Sequence, residues 1–266
     1  MPKLVGLFAS VAGTAAKRAV RGWPVALAVV GYAAVMLAGT ALFGRLGIVG
    51  GFLLGFVEAA CISSYLHLLS IVVGNQKLSW DEVRVSFFAL LWDVIAVLFV
   101  LWIASWGIGA LVRAAPDRAA FISAAWGLLV AIFLNPVPEI IYLRVGQRVA
   151  GTDWFATYLI GPSIRFIQEH WIEWFIPNLL FGAALLALVV GVRGLDAQTL
   201  MLQLPSLFSL EGAYLLAPSL LSGGSSLWLA PVVLALTHYV MVFRGVLFQE
   251  LRGGGWRARA LKGAWR

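Results

Sequence analysis

The chain has 266 residues, 62% of them hydrophobic and only 12% charged, with a formal net charge of +7. A mean hydropathy of +0.94, with about half the charged fraction of a soluble domain, excludes a water-facing globule. The lone Cys61 excludes a disulfide framework and a thiolate metal site, and four lysines against fifteen arginines fit a GC-rich bacterial genome.

Residues 1–22 read as an interfacial amphipathic helix. At about 100° per residue, Lys3, Lys17, Arg18 and Arg21 share one face, and Leu4, Val5, Phe8, Val11, Ala12 and Ala15 a neighbouring apolar one. Such a helix lies in the headgroup plane with its basic face toward anionic lipid. Residues 23–248 read as a six-helix transmembrane domain. A hydrocarbon core needs about 20 apolar helical residues, and Trp23–Phe43, Ile48–Val73, Val85–Val112, Ala119–Leu143, Trp174–Val192 and Ser226–Phe243 meet or approach that length. The first of these is too long for the apolar region of a cleaved signal peptide, so it is expected to be an uncleaved anchor. Ser163–Phe175, after Pro162, forms either a second interfacial helix with Ile164, Ile167, Trp171 and Trp174 on one stripe, or an extension of the fifth span. Arg193–Ser225, broken by Pro205, Pro218 and Gly223–Gly224, is expected to rest on the outer leaflet or dip into it. Residues 249–266 form a basic tail. The expected fold is all-α and polytopic, with six transmembrane helices and an N-terminal interfacial helix.

The basic residues set the orientation. With a cytoplasmic N-terminus, fifteen lie inside and only Arg45, Arg113, Arg118 and Arg193 outside, as the positive-inside rule requires. The chain is thus expected in a bacterial inner membrane, multi-pass, with both termini cytoplasmic. Charges at span ends also argue for lipid headgroups rather than nucleic acid as the basic patches' partner.

Ionisable and amide side chains within spans are costly and become the candidate site. These are Glu58, His67, Asp93, Asn135, Glu139, Asn178, His238 and Arg244. All but Glu58 fall in the cytoplasmic half, which points to a polar cavity open to the cytoplasm or to interhelical hydrogen bonding. His67 and Asp93, at similar depth, are expected to pair; Glu139 is expected to pair with Arg144 or Arg244. Pro136 and Pro138 remove two backbone donors and break span four, freeing carbonyls near Ala131–Leu134. Gly47, Gly51 and Gly55 recur every four residues and offer a smooth helix-packing face, within the chain or toward a partner.

Nucleotide-binding loops and HExxH are absent, no metal or cofactor is implied, and Ser222–Ser225 reads as a turn. Phe243–Phe248 resembles part of the glutamate-rich motif of intramembrane CAAX-type proteases. The two adjacent glutamates that motif needs are replaced by Tyr239 and Val240, so the resemblance implies no activity. The layout as a whole resembles permease subunits of exporters driven by a separate ATPase: an interfacial helix, six spans, cytoplasmic ends and an outer excursion before the last span. That resemblance implies a cytosolic ATPase contact at Gly74–Arg84, with Asp81, Glu82 and Arg84. The leading reading is a membrane component of a transport system with a cytoplasm-facing polar cavity. The alternative is a non-catalytic scaffold or assembly subunit, and an intramembrane enzyme comes last because no acid–base or metal constellation is recognisable.

Overall fold

The computed structural model describes residues 2–143, 157–193 and 230–252. The described elements are helices: α1 (Pro2–Arg21), α2 (Trp23–Phe43), α3 (Gly47–Val73), α4 (Trp80–Ala89), α5 (Leu91–Ala114), α6 (Ala119–Phe133), α7 (Val137–Leu143), α8 (Thr157–Arg193) and α9 (Ala230–Arg252), with a 3-10 turn at Pro116–Arg118. Among them, Trp23–Phe43, Gly47–Val73, Trp80–Ala114, Pro116–Leu143 and Pro231–Arg252 are five stretches long and apolar enough to cross a membrane. The described residues are all-helical, and the chain is a multi-pass membrane protein. The segment 194–225, the start of the expected sixth span and the tail beyond Arg252 lie outside the described residues.

Two helices form the centre. In the second half of α3, Leu66, Leu68, Leu69, Val72 and Val73 are buried, and in α9 so are Val242, Phe243, Val246, Leu247 and Phe248. Both stretches are buried around nearly their whole circumference, as expected of helices surrounded by other helices. Large apolar side chains elsewhere point outward: Leu37 of α2, Phe52 of α3, Trp102 and Trp106 of α5, Phe121 and Leu128 of α6. So much exposed apolar surface is tolerable only against hydrocarbon. Helix α1 uses Leu7, Val11, Ala15 and Ala19, one residue per turn, as its buried stripe, and its main neighbour is α9.

The end of α3 is closed by side chains from α1, and the start of α4 by its own cap. α3 finishes with Asn75 in the left-handed region (φ 56). Gln76 N–H donates to Ile71 O at 2.9 Å and Asn75 N–H to Val72 O at 3.0 Å, the paired bonds of a Schellman ending. Arg18 of α1 donates to the freed Val73 carbonyl, and Arg21 holds Asn75 Oδ1 at 2.9 Å. Two guanidinium groups thus sit at the negative end of the α3 dipole. α4 opens with Ser79, whose hydroxyl accepts from Glu82 N–H at 3.3 Å, and carries Asp81 and Glu82 in its first turn.

Two expected spans are interrupted. The third starts earlier than Val85, at Trp80, and breaks at Leu90 (φ −122, ψ 10), which separates α4 from α5. The fourth breaks between Phe133 and Val137. α8 runs from Thr157 to Arg193 with one non-helical residue, His170 (φ −134, ψ 24), so the Ser163–Phe175 segment is joined end to end with the expected fifth span. The break at His170 shifts the helical phase: Phe166, Ile167 and Trp174 are buried, whereas Trp171 is 59% exposed and leaves the expected stripe.

Candidate functional site

The break between α6 and α7 builds the site. Pro136 lacks an N–H and closes the turn, while Pro138 falls in the first turn of α7, where a missing N–H costs nothing. The carbonyls released by the break find donors nearby or on other helices. Leu134 O accepts from Val137 N–H at 3.1 Å, Phe133 O accepts the Ser163 hydroxyl of α8, and Asn135 O accepts Arg244 Nη2 of α9 at 2.6 Å. The irregular backbone is therefore buried in protein, the condition under which a bilayer tolerates it.

Glu139, in the first turn of α7, is fully buried and meets Arg244 as a two-pronged ion pair: Nε to Oε1 at 2.7 Å and Nη2 to Oε2 at 3.0 Å. The planar guanidinium lies over the Trp174 ring, 5.2 Å from its centroid. Trp174 Nε1 donates to Asn135 Oδ1 at 2.7 Å, and Asn178 Nδ2 donates to Trp174 O at 2.6 Å. Phe166 and Phe248 close the aromatic side, their centroids 4.5 Å apart. Asn135, Glu139, Asn178 and Arg244 are thus gathered in one network across α6–α9. Trp174 is its hub, and sequence reasoning places that residue at a lipid boundary instead. Arg144, the other expected partner of Glu139, lies outside the described residues. Gly245, next to Arg244, faces Val73 and Tyr142 so closely that a Cβ there would overlap the Tyr142 hydroxyl, which ties the network to the end of α3.

A second polar group fastens α4 to α3. His67 is buried, and its Nε2 lies 3.0 Å from Glu82 Oε2, whose side chain is 44% exposed. The expected His67–Asp93 pair is therefore corrected to His67–Glu82. The break at Leu90 is the cause: it places Asp93 in the first turn of a new helix, where a carboxylate meets the positive end of the dipole. Deeper in the same interface, Ser86 Oγ donates to Val83 O at 2.6 Å, which makes it the acceptor from Ser64 Oγ at 2.6 Å. Ser64 in turn accepts from Tyr32 of α2 at 2.7 Å. Nothing in the sequence pattern marks this directed chain of hydroxyls.

The other candidates lie elsewhere. Glu58 is half-buried, nine residues before His67, or about 13 Å along α3. His238 is buried six residues before Arg244 on α9, beside the Ala19 backbone of α1. A Cβ added at Gly47 (φ 57), Gly51 or Gly55 would meet nothing within 4 Å among the described residues. Close packing within the chain falls instead to Gly50, where a Cβ would overlap the Phe43 carbonyl. Among the described residues no three His, Cys, Asp or Glu side chains gather as a metal site. No protein-family model, curated protein or solved structure matches the chain.

Proposed function

We propose that the protein is a permease-like membrane component of a transport system, spanning a bacterial inner membrane six times with both termini cytoplasmic. In this reading the C-terminal part of α8 supplies the fifth crossing, the basic turns of α1 lie at the cytoplasmic headgroups, and a cytosolic ATPase bears on α4. The observation that carries the reading is the buried Glu139–Arg244 pair set at the broken segment of a span. A buried ion pair is weak as a stabilising device, and charge at membrane depth commonly marks a solute or ion path. The pair then closes that path in the conformation described, with Asn135 and Trp174 holding it in place. A scaffold role is the second reading, supported by the open space at Gly51 and Gly55, which leaves room for a helix from another protein.

Purification in mild detergent tests the proposal. An ATP-hydrolysing partner is expected to co-purify, and Asp81→Lys with Arg84→Glu on the exposed side of α4 is expected to release it. A monomer without ATPase, or a large assembly indifferent to those substitutions, would refute the transport reading. Cysteine labelling from either side of the membrane at Lys77 and Arg113 gives the orientation independently.

A further inference from the structure

In an uninterrupted helix the Leu90 amide would donate to the Ser86 carbonyl, four residues back. Here it donates to Ser63 Oγ of α3 at 3.0 Å, and that hydroxyl donates to Ser86 O at 3.0 Å. One serine from a neighbouring helix stands inside the backbone ladder of the Trp80–Ala114 span. Side-chain insertion is among the few causes of a sharp helix break, and no glycine or proline lies between Trp80 and Trp106 to supply another.

We infer that this span is a hinge: α4 swings about Leu90 as the Ser63 hydroxyl enters or leaves the ladder. With the hydroxyl inserted, two hydrogen bonds are made. With it withdrawn, Leu90 N–H closes onto Ser86 O and Ser63 donates to the carbonyl of Ala59, four residues back on its own helix, an ordinary resting place for a helical serine. Both donors, the Leu90 amide and the Ser63 hydroxyl, thus have a partner in either state, so the exchange strands neither of them. Two further contacts hold the broken form. One is His67–Glu82 near the start of α4, and the other is the Tyr32–Ser64–Ser86 chain beside the wedge. Glu82 is the accessible member of the latch, and a partner that draws it from His67 frees α4. The exposed side chains Trp80, Asp81, Val85 and Phe88 move with it. The hinge is independent of the transport reading, since it is built from contacts within the chain.

Spin labels at Lys17→Cys and Asp81→Cys, in full-length Cys61→Ser protein in lipid nanodiscs, read the motion as a distance distribution. Asp81 lies about 13 Å from the pivot, so opening the hinge by about 30° displaces it by about 7 Å. Ser63→Ala, which removes the wedge, is expected to shift the main peak by up to that amount, and Glu82→Ala, which releases the latch, to add a second peak at the shifted distance. One unchanged distribution in the parent, Ser63→Ala and Glu82→Ala proteins would overturn the proposal. Should Ser63→Ala fail to fold, the Glu82→Ala protein, altered at a half-exposed side chain, decides alone: the second peak supports the hinge and its absence refutes it.

Discussion

Replacing Arg244 by Met removes the three hydrogen bonds its guanidinium makes, two to Glu139 and one to Asn135 O, and its stacking on Trp174. The Glu139 carboxylate is left with no exposure and without its counter-charge. Stranding one member of a buried pair costs about 3–5 kcal/mol, whereas replacing both members with apolar groups of similar size is close to neutral. Loss of the bond to the Asn135 carbonyl adds about 1 kcal/mol in either case. Arg244→Met is therefore expected to lose about 4–6 kcal/mol, and the Glu139→Leu/Arg244→Met double variant only about 1 kcal/mol. Reversible denaturation in detergent micelles, followed by tryptophan fluorescence, measures both. A single variant within about 1 kcal/mol of the parent, or a double variant no better than the single, would refute the account of this pair. If the pair also has a transport role, the double variant folds yet remains inactive.

Further outcomes follow from individual contacts. Gly245→Ala forces a methyl against Tyr142 and Val73 and is expected to cost about 1–3 kcal/mol. Tyr142→Phe is expected to be neutral or stabilising, because the hydroxyl is buried without a partner among the described residues, and to recover part of the Gly245→Ala loss; a thermal melt of both singles and the double measures that coupling. Arg18→Gln weakens the closure of α3 and is expected to cost about 0.5–1 kcal/mol, with faster amide exchange at Val72–Gln76. Gly51→Ala, facing open space, is expected to leave the melting temperature unchanged or slightly raised. A loss there would mean the face is packed in the native protein.

The spans are legible because hydropathy integrates over about twenty residues, and Glu139 and Arg244 because charge within such a run is conspicuous. The break in span four is legible from Pro136. The break at Leu90 is not, because its cause is a serine on another helix, and no proline or glycine near it in the chain announces it. Ser63, Ser64 and Ser86 sit quietly in the sequence, since single serines barely lower the hydropathy of a long run and their partners lie on other helices. Treating Val85–Val112 as one rod puts Asp93 well inside the span and leads to the wrong partner for His67. The Ser79-Trp80-Asp81-Glu82 sequence holds the correcting signal, a capping pattern that starts a helix before the apolar run. A helix drawn straight through His170 keeps Trp171 on the stripe of Ile167 and Trp174, and an apolar stripe does not tell lipid from protein, which is why the sequence points Trp174 to the lipid boundary.

The most direct test of the whole account asks what solvent surrounds the outward-facing side chains. Spin labels placed singly at Phe52, Trp106 and Leu128, all exposed and apolar, are studied in liposomes for collision with dissolved oxygen and with a water-soluble nickel chelate. Strong oxygen broadening with negligible nickel broadening at all three is the expected result. Nickel access equal to that of a label at Asp81 would place those surfaces in water and contradict a membrane-spanning fold.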